Sequence, residues 1–152
     1  MNVLKALVAT TVILISAFAR ADATVPAVPG GSEGTVVAKV SIATQTMRVY
    51  VGKELLYEWS VSTARRGYKT PPGRYKPYWL DKDHHSSVYD NEPMPYAVFY
   101  RGNYAVHGTT DSEHLGHRAS HGCVRLLTEN ARIFYTLVQQ YGKQNTRIII
   151  ES

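Results

Sequence analysis

One cysteine, Cys123, is all the chain contains, and a lone thiol excludes any internal disulfide. Nothing repeats at a fixed period, and no low-complexity tract follows the first thirty-odd residues, which argues against a repeat architecture. No basic cluster with interleaved aromatics is present, so no nucleic-acid partner is expected. Nor does any apolar run reach the about 20 residues of a comfortable membrane span. The longest, Leu7 to Phe18, is interrupted by Thr10, Thr11 and Ser16.

What is present suits one folded domain: 152 residues with 44% hydrophobic and 19% charged content. Lys5, the short apolar run and the small residues Ala17, Ala19, Ala21 and Ala23 read as a secretory signal peptide over residues 1–21, cleaved between 19 and 23. No cysteine stands at the cleavage site, so lipid anchoring is not expected. The run Thr-Val-Pro-Ala-Val-Pro-Gly-Gly-Ser-Glu-Gly makes residues 22–35 a flexible linker. The net charge of +5 includes Lys5 and Arg20; without residues 1–21 there are 15 basic residues against 12 acidic. So small a surplus names no partner.

The folded domain is expected over residues 36–152. Val36 to Ile42, Met47 to Val51 and Leu55 to Ser62 read as strands, with turns at Thr44-Gln45-Thr46 and Gly52-Lys53. Gly- and Pro-rich loops surround Arg74 to Tyr78. Residues 80–95, polar and containing two prolines, read as a long loop or flap. Tyr78, Trp79, Tyr89 and Tyr96 around it are expected mainly to pack. Tyr96 to Tyr100 and Tyr104 to His107 form a hairpin. Ala131, Phe134, Val138 and Tyr141 share one face of a helix over Thr128 to Tyr141, which Thr128 caps and Gly142 ends. Thr146 to Ile150 closes the chain as a strand. The expected fold is mainly β with one principal α-helix.

An exported protein pairs its cysteines or lacks them, so a single one calls for a reason. Cys123 stands in Ser120-His121-Gly122-Cys123-Val124-Arg125. A thiol needs a base or a positive neighbourhood to act as a nucleophile, and donors to stabilise an oxyanion. Gly122 opens space for backbone N–H groups, and Arg125 brings a permanent charge that either lowers the thiol pKa or grips a substrate carboxylate. His121 and His107 compete to be the base, and Ser120 reads as a turn residue. His114, His117, His121 and Cys123 also have spacings a zinc site uses, the weaker reading of these residues.

The run Ser120 to Leu126 resembles the signature of the L,D-transpeptidases, the YkuD-domain enzymes of bacterial cell walls. Val106-His107-Gly108-Thr109 resembles their upstream histidine motif, with twelve residues between His107 and Ser120, and Thr70-Pro71-Pro72-Gly73 their Thr-Pro-x-Gly turn. Met94-Pro95-Tyr96, Gly116 and Asn130-Ala131 fall where similar sequences have them. The resemblance implies a sandwich or barrel of mixed sheets, with the helix following the cysteine segment. It implies Cys123 as nucleophile, His107 as base oriented by the Gly108 carbonyl, and backbone N–H groups of His121, Gly122 and Cys123 shaping an oxyanion pocket. Arginine at position 125 is typical of one branch of the family and asparagine of others.

The implied reaction cleaves a peptidoglycan tetrapeptide stem after meso-diaminopimelate, releases D-Ala and passes the acyl group to an amine, in the periplasm and without metal or cofactor. Peptidoglycan stem peptides are the expected partners, with an outer-membrane protein as a further acceptor, and the chain is expected to be a monomer. Two other readings stand beside this one: a hydrolase that hands the thioester to water, and a non-catalytic wall-binding module.

Overall fold

A computed structural model describes residues 34–152. The expected signal peptide, and all of the expected linker except residues 34 and 35, lie outside these. Nine strands, one α-helix and two single 3-10 turns are described. Sheet one runs β3-β2-β1-β9-β4 and consists of β1 (Val36–Ser41), β2 (Thr46–Val51), β3 (Glu54–Ser60), β4 (Gly73–Tyr75) and β9 (Thr146–Glu151). Sheet two runs β5-β6-β7-β8, from β5 (Trp79–His85), β6 (Pro93–Arg101), β7 (Tyr104–Thr109) and β8 (Val124–Leu127). Both sheets are mixed, because β1 pairs with β9 in parallel and β7 with β8 in parallel.

Alternation decides which face each strand buries. Val36, Ala38 and Val40 of β1, Met47 and Val49 of β2, and Ile148 and Ile150 of β9 all point into one core. Helix α1 (Thr128–Tyr141) adds Phe134, Leu137 and Val138 to the same core and packs across β6, β7 and β8. The fold is therefore mainly β, two mixed sheets and one main helix. Gly142 ends α1 with φ 89, its N–H reaching the Val138 carbonyl.

Two expectations need correction. Thr128 does not cap the helix: Leu127 holds the N-cap, and the Thr128 hydroxyl donates instead to the Thr109 carbonyl at 3.2 Å. The hydroxyl is turned toward a tertiary acceptor at the end of β7 and accepts from no first-turn N–H. Residues 80–95 are mostly not loop. They form an antiparallel hairpin, His84 opposite Met94 and Asp83 opposite Pro95, with only 86–92 left as its turn. The reason is positional. β5 is an edge strand whose solvent face carries charge, and proline is tolerated where β6 begins.

A further departure positions the site. β3 stops at Ser60, and the chain then crosses to β8, where Ser62 and Arg125 exchange two backbone hydrogen bonds of 3.0 and 2.9 Å.

Candidate active site

Strand register brings the predicted residues together. β7 and β8 lie side by side with His107 opposite Arg125. Cys123 stands in the turn just before β8, two residues ahead of Arg125. All three line one cavity of about 270 Å³, together with Ser120, His121 and Gly122. Its remaining wall comes from the hairpin turn, through Tyr89 and Glu92, and from Asn103 and Tyr104.

His107 is buried, and its Nδ1 lies 2.8 Å from the Gly108 carbonyl oxygen. A carbonyl only accepts, so Nδ1 carries the proton and Nε2 keeps its lone pair. Burial holds this imidazole down to about 4, helped by the Arg125 charge and opposed by the Gly108 hydrogen bond. Cys123 is half-buried, and its S–H donates to the Asn103 carbonyl at 3.5 Å. Burial pushes this thiol up to about 11, against the opposing effects of a backbone hydrogen bond from Ala105 and of Arg125. Arg125 thus acts on the thiol in the expected direction, but burial outweighs it. At neutral pH the resting pair is a neutral thiol and a neutral imidazole.

His121 is engaged elsewhere. Its Nε2 lies 2.9 Å from the Arg65 guanidinium, which can only donate. Its ring stacks on Tyr89 at 4.2 Å and meets Tyr68 edge-on at 4.8 Å. The lone pair a base would need is occupied, and the ring serves as cavity wall.

The turn carrying Cys123 is braced from both sides. Ser120 is fully buried; its hydroxyl donates to the Cys123 carbonyl at 2.7 Å and accepts from the Gly122 N–H at 3.0 Å. That N–H is therefore committed to the turn itself. Gly122 has φ +140, a conformation that favours glycine. Thr70, which the sequence offered only as part of a turn motif, donates to the Gly122 carbonyl at 2.8 Å and accepts from the Ala64 N–H at 3.0 Å. A buried threonine with both hydroxyl roles filled across 52 positions is a device no local pattern reveals.

Glu92 is the other residue sequence reasoning missed. Its carboxylate pairs with Arg125 at 2.7 Å, and Asp111 lies 4.0 Å from the same guanidinium. The Arg125 side chain is only 10% exposed, so this ion pair fastens the hairpin turn to the cavity floor. Of the four flap aromatics, Tyr89 alone lines the cavity. Tyr78 donates to the Gly102 carbonyl, Trp79 stacks on Phe99, and Tyr96 packs on Tyr135. His114 pairs with Asp111 on the exposed 3-10 turn, and His117 does not line the cavity. Among the described residues no group of three or more His, Cys, Asp or Glu is placed to hold a metal ion.

A family model of the YkuD L,D-transpeptidase catalytic domain matches residues 35–150. Comparison with the curated proteins gives no match. Among solved structures, an L,D-transpeptidase from Mycobacterium smegmatis superposes with a TM-score of 0.69 at 22% identity, covering 78% of this chain and 59% of that one. One from Mycobacterium tuberculosis H37Rv gives a TM-score of 0.70 at 22% identity, over 78% and 58%. Another, from Stackebrandtia nassauensis, gives 0.68 at 23%, over 81% and 58%. The chain spans about three-fifths of the length of these structures. At such identities the likeness is one of fold.

Proposed function

The chain belongs to the family of L,D-transpeptidase catalytic domains, and from that premise we propose that it is a cysteine acyltransferase acting on peptidoglycan stem peptides in the periplasm. The observation that carries the reading is the His107 tautomer. With Nδ1 donating to Gly108, the free Nε2 belongs to a buried base lining the same cavity as the Cys123 thiol.

The steps follow from these groups. As the Cys123 Sγ attacks the carbonyl after meso-diaminopimelate, its proton passes to His107 Nε2. The tetrahedral oxyanion forms beside the 121–123 turn, where we assign its stabilisation to the N–H groups of His121 and Cys123, since that of Gly122 is given to Ser120. The C–N bond breaks, His107 returns the proton to the departing D-Ala amine, and a thioester remains. An acceptor amine then attacks the thioester, loses a proton through His107, and restores the S–H as its new amide forms. Arg125 receives the free carboxylate of the donor stem. Glu92 occupies that guanidinium in the resting protein and is displaced by the substrate.

The test is to incubate the chain with a defined disaccharide-tetrapeptide and read the products by mass. Loss of D-Ala with formation of a crosslinked dimer is expected. An unchanged tetrapeptide would sink the reading, and tripeptide without any transfer product would identify a hydrolase.

The pH dependence follows from the two shifts. The base is lost only when His107 protonates near 4, so the acylation rate is expected to stay level from about pH 5 to about pH 9 and not to fall through the usual histidine range. Stability behaves differently. The unfolded chain takes up a proton at this histidine from its ordinary 6.5 downward, while the folded chain resists until about 4. More protons bound by the unfolded state means that stability falls on acidification across that window, by roughly 3 kcal/mol. Urea unfolding measured at several pH values checks this: His107→Asn is expected to remove that part of the loss.

A further inference from the structure

Trp79 is 43% exposed, although its indole stacks on the buried Phe99 ring with centroids 4.6 Å apart and planes 20° from parallel. The opposite face of the indole is therefore open to solvent. His84 meets both rings in T-shaped contacts, 5.2 Å from Trp79 and 4.9 Å from Phe99. Its Nδ1 donates to the Asp81 carboxylate at 2.9 Å, so Nε2 of the neutral ring keeps its lone pair. Among the described residues neither that Nε2 nor the Trp79 indole N–H has a hydrogen-bond partner. Tyr78, also exposed, packs on the same Phe99 at 6.4 Å. A single exposed aromatic needs no explanation. Two in succession around one buried ring, beside an unengaged donor and acceptor, make a flat platform with a polar edge.

The platform is continuous with the nucleophile. Trp79 stands opposite Phe99 in register, and Phe99 opposite Ala105. Cys123 packs against the small cluster of Met94, Ala97, Phe99 and Ala105, one step before the Val106–Val124 pair. Three strand spacings of about 4.8 Å thus set Trp79 about 14 Å from Cys123. A second path of contacts joins the two. The Tyr78 hydroxyl donates to the Gly102 carbonyl, and the next residue, Asn103, lines the cavity and accepts from the Cys123 S–H.

We propose that Trp79 and His84 form a sugar subsite, which holds the N-acetylhexosamine ring from which the donor stem hangs. The inference rests on the acyl-transfer reading and adds the glycan to the substrate. A sugar ring offers C–H groups on its face and hydroxyls at its edge. The open face of the indole takes the first, and His84 Nε2 accepts from one of the second. Asp81 beside them disfavours the carboxylates of the stem, whereas a neutral sugar is indifferent to that charge. The span fits as well. Between the sugar and the scissile carbonyl stand the lactyl group and three residues, and four extended units reach about 13–14 Å. A stem seated with its carbonyl at the Cys123 Sγ thus brings its sugar to Trp79.

The experiment measures D-Ala release from two donors, a disaccharide-tetrapeptide and the same tetrapeptide without its sugars. The unaltered chain is expected to show a KM about fivefold lower for the sugar-bearing donor, with kcat similar for both. Trp79→Leu still covers Phe99 but offers no flat ring, and it is expected to bring the two KM values together. Trp79→Tyr is expected to restore part of the difference. No difference in the unaltered chain, or one that survives Trp79→Leu, overturns the subsite. Should Trp79→Leu fail to fold, Trp79→Met takes its place under the same criterion. If neither donor loses D-Ala, the acyl-transfer reading has failed by itself. The subsite is then decided by titrating the unaltered chain with the β-1,4-linked tetramer of N-acetylglucosamine, following its two indole N–H signals by NMR. Movement of the signal that Trp79→Leu removes supports the subsite. Movement of neither signal, or of the Trp59 signal alone, overturns it.

Discussion

Cys123→Ala is expected to abolish D-Ala release from a tetrapeptide stem, on the order of a 10⁴-fold loss or more, while leaving the fold intact. The size of the effect follows from what the thiol does. In the proposed mechanism Sγ is the atom on which the acyl group rests, and no other cysteine exists in the chain to replace it. His107 and the N–H groups of the turn would still position substrate, yet with nothing to receive the acyl group the reaction falls back to water. Stability is expected to change little. The side chain is half-buried and its S–H makes one long contact, 3.5 Å to the Asn103 carbonyl. Intact-mass measurement after exposure to substrate or to a carbapenem is the direct readout: an adduct on the unaltered chain and none on the variant. A variant that still releases D-Ala would remove Cys123 from the mechanism altogether.

Gly122→Ala is the second large effect, and here stability suffers first. At φ +140 any side chain is strained, and the added Cβ would stand 2.6 Å from the Tyr104 ring and 3.0 Å from the Lys69 carbonyl oxygen. Neither neighbour can yield cheaply. Tyr104 is seated against the core, and the backbone after Lys69 is held by the two hydrogen bonds of Thr70. Strain and overpacking together put the cost at about 3 kcal/mol, a fall in Tm of roughly 10 °C. The turn can relieve the clash only by moving, which displaces the Cys123 thiol, so the folded fraction is also expected to acylate slowly. Thermal unfolding and the acylation rate of the folded protein check the two parts. Unaltered Tm would mean that the turn is not held as described.

How much of this was legible in advance depended on how local each signal was. β1 and β2 alternate cleanly, and α1 shows its face through Ala131, Phe134, Val138 and Tyr141. The pairing of β5 with β6 left no such trace. Its edge strand is solvated, its partner begins at a proline, and the reading as a loop followed from composition. Thr128 looked like a cap because capping is judged from neighbours, and the acceptor it uses is Thr109.

The site divides in the same way. Cys123 stood out as an unpaired thiol, and His107 as one histidine of a motif, but residues alone left His121 in contention. The fold separates their surroundings: His107 Nδ1 meets the Gly108 carbonyl, while His121 Nε2 meets Arg65. Both partners are set by where the chain turns, and only Gly108 is adjacent in sequence. Glu92 and Thr70 were invisible as site residues because their partners, Arg125 and Gly122, lie far along the chain.

By itself the sequence determined the chemistry on offer: one candidate nucleophile, two candidate bases, a guanidinium and a glycine beside the thiol. Periodicity also determined most strands and the helix, because burial of alternate residues is a local pattern. Only the tertiary structure decided which imidazole has its Nε2 engaged by Arg65, that burial outweighs Arg125 at the thiol, and that the hairpin is fastened over the cavity. Those outcomes turn on desolvation and on hydrogen bonds between distant segments, quantities that do not exist until the two sheets and the loops between them have come together.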